Sequence, residues 1–192
     1  MSGWRDLRSG WLVLALALFF GAALAGVHRL LAARIAANVL HETLSQIPAL
    51  VPGADGGAPV DIRGRTVYRA EAAGRTLGWV VPSGGQGFAD RIDLLIGLDA
   101  DGSTLTGLYI LGQKETPGLG NKIIEEPWRG QFRGKSTGQP LVVKKGDPSS
   151  GNEIRSVTGA TISAESVCGI VNQTVAEMQA ALAQATREEP DR

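Results

Sequence analysis

Ser156, Thr158, Thr161 and Ser163 place four hydroxyls inside the stretch SVTGATIS, close to the end of the chain and just ahead of an alanine-rich run. Small hydroxylated residues before a helix commonly form an ST-turn and an N-cap, so this cluster by itself predicts only a capped turn. Other reactive side chains are sparse. Cys168 is the single cysteine, which excludes an internal disulfide and any CxxC metal or redox pair. His28 and His41 lie near the N-terminus, far from any carboxylate cluster, so neither a zinc site nor a Ser-His-Asp arrangement can be assembled. Two glycine-rich stretches invite comparison with phosphate loops. GQFRGKS (130–136) has its first glycine one position too close, and GGQGFAD (84–90) lacks the last glycine of a dinucleotide fingerprint. Both are expected to be turns.

The elements that must position these residues begin with an apolar segment. Residues 11–27, WLVLALALFFGAALAGV, carry no charge, and Leu30 and Leu31 extend the run past His28 and Arg29. A membrane span needs about 20 apolar residues, with a lower limit of about 17. The segment is therefore expected to be a retained anchor at 11–31, following a cytoplasmic N-terminus at 1–10. A cleaved signal peptide is the competing reading, because Arg5 and Arg8 make a basic start and Ala23-Leu24-Ala25 resembles a cleavage site. Either reading exports the rest of the chain.

Leu30, Leu31, Ile35, Val39, Leu40, Leu44 and Ile47 continue at helical spacing, so a stalk helix is expected, followed by a Gly/Pro-rich linker, together spanning 32–60. TVYRAEAA, TLGWVVP, RIDLLIGLDADG and TLTGLYIL then read as four strands of an antiparallel sheet, joined by turns at Gly74-Arg75 and residues 99–102. KETPGLGNKI (114–123) is a shaped loop forced by Pro117 and its glycines, with a short helix expected over 121–126. GQPLVVKKG supplies a further strand. Ser163 is expected to cap a last helix running to about Arg187, with Ile170, Val171, Val175, Met178 and Leu182 as its apolar stripe. The fold class that follows is α+β: one transmembrane helix, then an exported domain with an antiparallel sheet and a C-terminal helix. The high glycine content, 26 residues, is read as a sign of many loops.

KETPGLGNKI and SVTGATIS, in this order behind one anchor, resemble the FMN-binding domain shared by the G subunit of the bacterial Rnf electron-transport complex and the C subunit of the sodium-pumping NADH:quinone oxidoreductase. The short chain is more similar to the Rnf member of this pair. The resemblance implies an FMN-binding domain over 61–187, a short tail at 188–192, and FMN as cofactor. It further implies that a flavin transferase esterifies the FMN phosphate to the last threonine of the motif, here Thr161, with Thr158, Gly159 and Ala160 forming the turn around it. The ETPGLG loop would lie against the flavin, which places Glu115, Thr116, Leu119 and Gly120 near the ring. The helix start favours a phosphate through its free N–H groups and dipole, and Lys144 and Lys145 are expected to add compensating charge. The chain departs from the family at Arg155, where relatives usually carry an aspartate three residues before the motif's first hydroxyl.

The function implied is that of an electron-carrying subunit of a ferredoxin/NAD-linked, ion-translocating complex, not catalytic on its own, on the outer side of the cytoplasmic membrane. Its partners would be the other subunits, the flavin transferase and the lipid bilayer. Nucleic acid is set aside, because 19 basic residues balance 19 acidic ones and aromatic residues are few. Two alternatives share part of the pattern: another exported flavoprotein, including the quinone-reductase subunit, and a non-redox membrane-anchored binding module.

Overall fold

The structure is a computed structural model that describes residues 3–149 and 151–187, with side chains described from residue 10 onward. The expected tail at 188–192 and the side chains of Arg5 and Arg8 lie outside the described residues. The chain divides into two compact units, residues 1–41 and residues 42 onward.

The first unit is the greater part of a single helix, α1 (Gly3–Leu50). Its side chains from residue 11 to residue 41 are exposed, including Leu14, Leu18, Phe19, Phe20, Leu24 and Leu30. An 18-residue window inside Gly10–Leu50 reaches a mean hydropathy of 2.2, so length and composition fit one membrane crossing.

In the second unit, five strands form an antiparallel meander: β1 (Gly56–Ile62), β2 (Arg65–Ala72), β3 (Arg75–Gln86), β4 (Arg91–Asp99) and β5 (Leu105–Gly112). Alternation along the strands sorts the side chains between two faces. Trp79, Val81, Ile92, Leu94, Ile96 and Leu98 point to one face. There they meet Val167, Val171, Val175, Met178 and Leu182 of the last helix, α3 (Thr161–Arg187). Val80 and Leu95 point to the other face and pack on Ile47, Leu50 and Val51 at the end of α1. The α+β class is therefore as expected, with a helix on each face of the sheet.

Several details differ from the sequence-based expectations. PGADGGAP is not wholly a linker: Gly56, Gly57, Ala58 and Pro59 belong to β1, an edge strand paired with β2. Pro59 is tolerated there because an edge position leaves one side of the backbone without ladder partners. Glycine abundance is also not only a loop signal. Gly97 and Gly107 lie in strands beneath the end of α1, where a Cβ would stand 2.7 Å from the Leu50 carbonyl oxygen and 3.0 Å from Leu50 Cδ2, respectively. GGQ of GGQGFAD extends β3, and only its remainder turns toward β4. GQPLVVKKG contributes just Val142–Lys144, β6, which pairs in parallel with a strand not anticipated, β7 (Glu153–Arg155), in a separate small sheet.

Between β5 and β6 the chain makes a 3-10 turn at Gly120–Ile124 and a four-residue helix, α2 (Glu126–Arg129). Ile123, Trp128 and Phe132 pin this excursion to the core, each fully or nearly buried. Burying a side chain of that size contributes about 1.5–3 kcal/mol, enough to hold an otherwise irregular loop. The Trp128 indole also donates to the Arg155 carbonyl at 2.9 Å, linking the excursion to β7.

Candidate functional site

The two motifs meet. Gly159 adopts φ +78°, a conformation that favours glycine, and this turns the chain from the SVT segment into α3. A Cβ at Gly159 would stand 2.9 Å from Leu119 Cδ2, so the ETPGLG loop rests directly on the TGAT turn. Within the loop, the Thr116 carbonyl accepts the amides of Leu119 at 3.1 Å and Asn121 at 3.2 Å, which closes it tightly over Pro117 and Gly118. Gly118 sits at φ +76°.

Together these segments enclose an open groove of about 280 Å³. Thr116, Leu119 and Gly120 form one wall, and Gly159, Ala160, Thr161 and Ile162 form a second. Phe88, from the turn between β3 and β4, forms a third. Three of the lining side chains are large, apolar and exposed: Phe88 at 60%, Ile162 at 53% and Leu119 at 43%. Exposed apolar side chains gathered around one concavity mark a binding surface rather than chance exposure.

The polar end of the groove is the start of α3. The helix begins at Thr161, three residues earlier than a Ser163 cap implies, and its first backbone bond runs from the Ala164 amide to the Ala160 carbonyl. The N-cap position is thus alanine, which offers no side-chain oxygen to the free amides of the first turn. Ser163 is not the cap. It lies inside the first turn, buried, and its hydroxyl donates to Glu115 Oε2 at 2.5 Å. Thr161 is half-buried in the groove wall, and among the described residues no hydrogen bond engages its hydroxyl.

The remaining expected residues are placed as follows. Glu115 is turned beneath the loop, 3% exposed, and does not line the groove. Thr158 is exposed but opens onto a neighbouring groove of about 470 Å³ together with Lys122, Trp128 and Arg155. Lys144 is committed to Glu153 Oε2 at 3.1 Å, and neither it nor Lys145 lines the groove. Arg155 forms an ion pair with Asp147, and its amide donates to Gln131 Oε1 at 2.7 Å. Cys168 is buried about two turns into α3, and burial, with the Glu165 charge as a smaller cause, pushes its thiol up to about 12. Phe88 and Ile162 were not anticipated. Their signal was faint: one phenylalanine beside a glycine in a polar turn, and one isoleucine flanked by hydroxyls.

A flat aromatic ring with a phosphate tail suits this groove. The apolar walls match the ring, while the uncapped amides of α3 and the Thr161 hydroxyl stand where the phosphate end would lie.

The comparisons agree. Residues 87–176 match the family model described as an FMN-binding domain. This segment is an FMN-binding domain, and FMN is its cofactor. The matched segment runs from the turn that carries Phe88 to the middle of α3, so the FMN-binding domain contains all three groove walls. Over 111 residues the chain is 40% identical to the G subunit of the Na(+)-translocating ferredoxin:NAD(+) oxidoreductase complex of Acetobacterium woodii, covering 57% of this chain and 53% of that one. It is 34% identical to the G subunit of the proton-translocating ferredoxin:NAD(+) oxidoreductase complex of Clostridium ljungdahlii, covering 58% of each. The chain thus spans little more than half the length of these relatives. The crystal structure of Shewanella oneidensis NqrC shares the fold, with a TM-score of 0.57 at 20% identity over 65% of this chain and 62% of that one.

Proposed function

We propose that this chain is an electron-transfer subunit of a membrane-bound, ion-translocating oxidoreductase complex of the Rnf type, carrying FMN esterified through its phosphate to Thr161. The observation that carries this reading is the convergence of the ETPGLG loop and the TGAT turn on one apolar groove in which the Thr161 hydroxyl is unengaged. The similarity to the two ferredoxin:NAD(+) oxidoreductase relatives supports the assembly, and the apolar helix supports a membrane anchor. In this reading the FMN domain lies on the outer side of the cytoplasmic membrane, which is supported by Arg5 and Arg8 preceding the apolar segment.

Bound FMN would supply the redox chemistry, and the polypeptide would supply position and environment. Leu119 and Phe88 would flank the ring and exclude water from its faces. Thr161 would hold the phosphate as an ester, and the first-turn amides of α3 would face its remaining negative charge. Attachment through the phosphate leaves the ring free of covalent bonds to the chain. A flavin transferase and the other subunits are the partners this reading requires.

The test is a mass measurement on the full chain produced with and without a flavin transferase. A gain of one FMN less one water, together with in-gel fluorescence that survives denaturation, is the expected result. An unmodified mass in both preparations would remove the covalent reading.

A further inference from the structure

Glu115 carries the only formal charge of the TGAT-facing loop segment that is turned inward, and it is 3% exposed. Burying a carboxylate is costly unless its oxygens are hydrogen-bonded. Both are. Oε1 accepts the amide of Ala89 at 3.1 Å, and Oε2 accepts the Ser163 hydroxyl at 2.5 Å. The Glu115 amide is itself held, donating to Gln113 Oε1 at 2.5 Å. The adjacent Lys114 points elsewhere and pairs with Asp90 at 3.0 Å.

The space around the carboxylate is kept open by two glycines. A Cβ at Gly87 would stand 2.4 Å from Glu115 Oε1. One at Gly120 would stand 2.9 Å from Oε2 and 2.8 Å from Ser163 Oγ. The two acceptor contacts reach different segments. Ala89 follows Phe88 directly, so holding its amide fixes the peptide plane that aims Phe88. Ser163 is two residues past Thr161, about 200° around the helix; it borders the groove from its buried side, 2% exposed and bonded to Glu115, while Thr161 is half-buried in the groove wall. One side chain therefore touches all three segments that wall the groove.

We propose that Glu115 is the positioning residue of the flavin groove: its two carboxylate oxygens hold Phe88, Leu119 and Thr161 in register, without Glu115 touching FMN. This rests on the reading of the groove as the FMN site. It assigns the ETPGLG glutamate a role on the hidden side of the loop, where the loop is joined to the turn before it and the helix after it in the chain.

The experiment compares the full chain in detergent with the variants Glu115→Ala, Glu115→Gln and Ser163→Ala. Two readouts are taken: hydrogen exchange of the amides at 87–90 and 160–164, and iodide quenching of flavin fluorescence. Exchange is read on chain made without flavin transferase, and quenching on chain made with it. Glu115→Ala is expected to speed exchange at Ala89 by at least about tenfold, the equivalent of one lost charge-assisted hydrogen bond, and to increase quenching. Glu115→Gln keeps an acceptor for Ala89 and a donor for Ser163, so it should restore most of the protection at Ala89 and most of the shielding. Ser163→Ala should loosen the first turn of α3 while leaving Ala89 protected. The proposal is overturned if Ala89 exchange in folded Glu115→Ala stays within about twofold of the parent, or if Glu115→Gln is as exposed as Glu115→Ala. If Glu115→Ala does not fold, Ser163→Ala decides: unchanged exchange at 160–164 and unchanged quenching overturn the proposal. Parent chain that acquires no flavin from the transferase would end the FMN reading of the groove instead, while the exchange data would still show whether Glu115 joins the three segments.

Discussion

At its C-terminal end α3 is tied down by Thr186, whose hydroxyl donates to the Ala100 carbonyl at 2.6 Å and accepts the Trp79 indole N–H at 3.0 Å. At its N-terminal end Ala160 occupies the cap position, and the Thr161 hydroxyl has no partner among the described residues. The same helix thus has one end tied to the sheet through a side chain and one end whose Thr161 hydroxyl and first-turn amides lack a side-chain cap. Only the inward side of the open end is secured, through Ser163 and Glu115. Stability and binding are divided along the helix: the buried stripe and the closed end hold the fold, so the open end can keep unmatched donors without loss of the core.

The largest test of that division is Thr161→Ala. It should abolish flavin attachment outright, read as loss of the FMN mass and of fluorescence under denaturing conditions, while the melting temperature of the unmodified chain stays close to that of the unmodified parent. A large drop in melting temperature would mean that the open end also carries the fold. The mirror experiment is Trp79→Ala at the closed end. Trp79 is 1% exposed and supports both Thr186 and Ala100, so its truncation should cost about 3–5 kcal/mol and lower the melting temperature by about 10 °C. Protein that remains folded should still accept flavin.

Smaller effects sharpen the comparison. Gly159→Ala forces a positive φ on alanine and pushes a Cβ against Leu119, so it should cost about 1–2 kcal/mol by thermal melt and reduce flavin attachment. Thr186→Val removes one hydroxyl from the closed end and should cost about 1 kcal/mol with attachment unchanged. Cys168 lies between the two ends with its thiol pushed up to about 12, chiefly by burial. A raised value keeps it as the unreactive thiol at all pH values below that. It should therefore resist thiol reagents at pH 8 in the folded chain and react on denaturation, and fast labelling of native protein would show that mid-helix packing is looser than the structure has it.

Much of the candidate site is readable locally. Gly159 in TGAT and Gly118 in ETPGLG announce tight turns wherever they fall, because positive φ is a property of single residues. The roles of Glu115 and Phe88 are not readable that way. In the linear chain only the family resemblance sets Glu115 apart, placing it near the ring, and Phe88 looks like part of a failed nucleotide fingerprint. The role of Glu115 comes from partners 26 and 48 residues away, Ala89 and Ser163, and that of Phe88 from the same carboxylate holding the next amide. The edge strand β1 was hidden for a related reason: Gly56, Gly57 and Pro59 carry loop propensities, and only pairing with β2 makes them a strand.

By itself the sequence determined the features that depend on near neighbours: the apolar helix, the strands through their alternation, the stripe of α3 and the two turns rich in glycine. The tertiary structure decided which side chain of each motif faces the groove and which faces the core. That choice is non-local, since it depends on the register of β3 with β4 and on where α3 crosses the sheet. Glu115 is turned inward by Ala89 of the β3–β4 turn and Ser163 of α3, neither of which stands near it in the sequence.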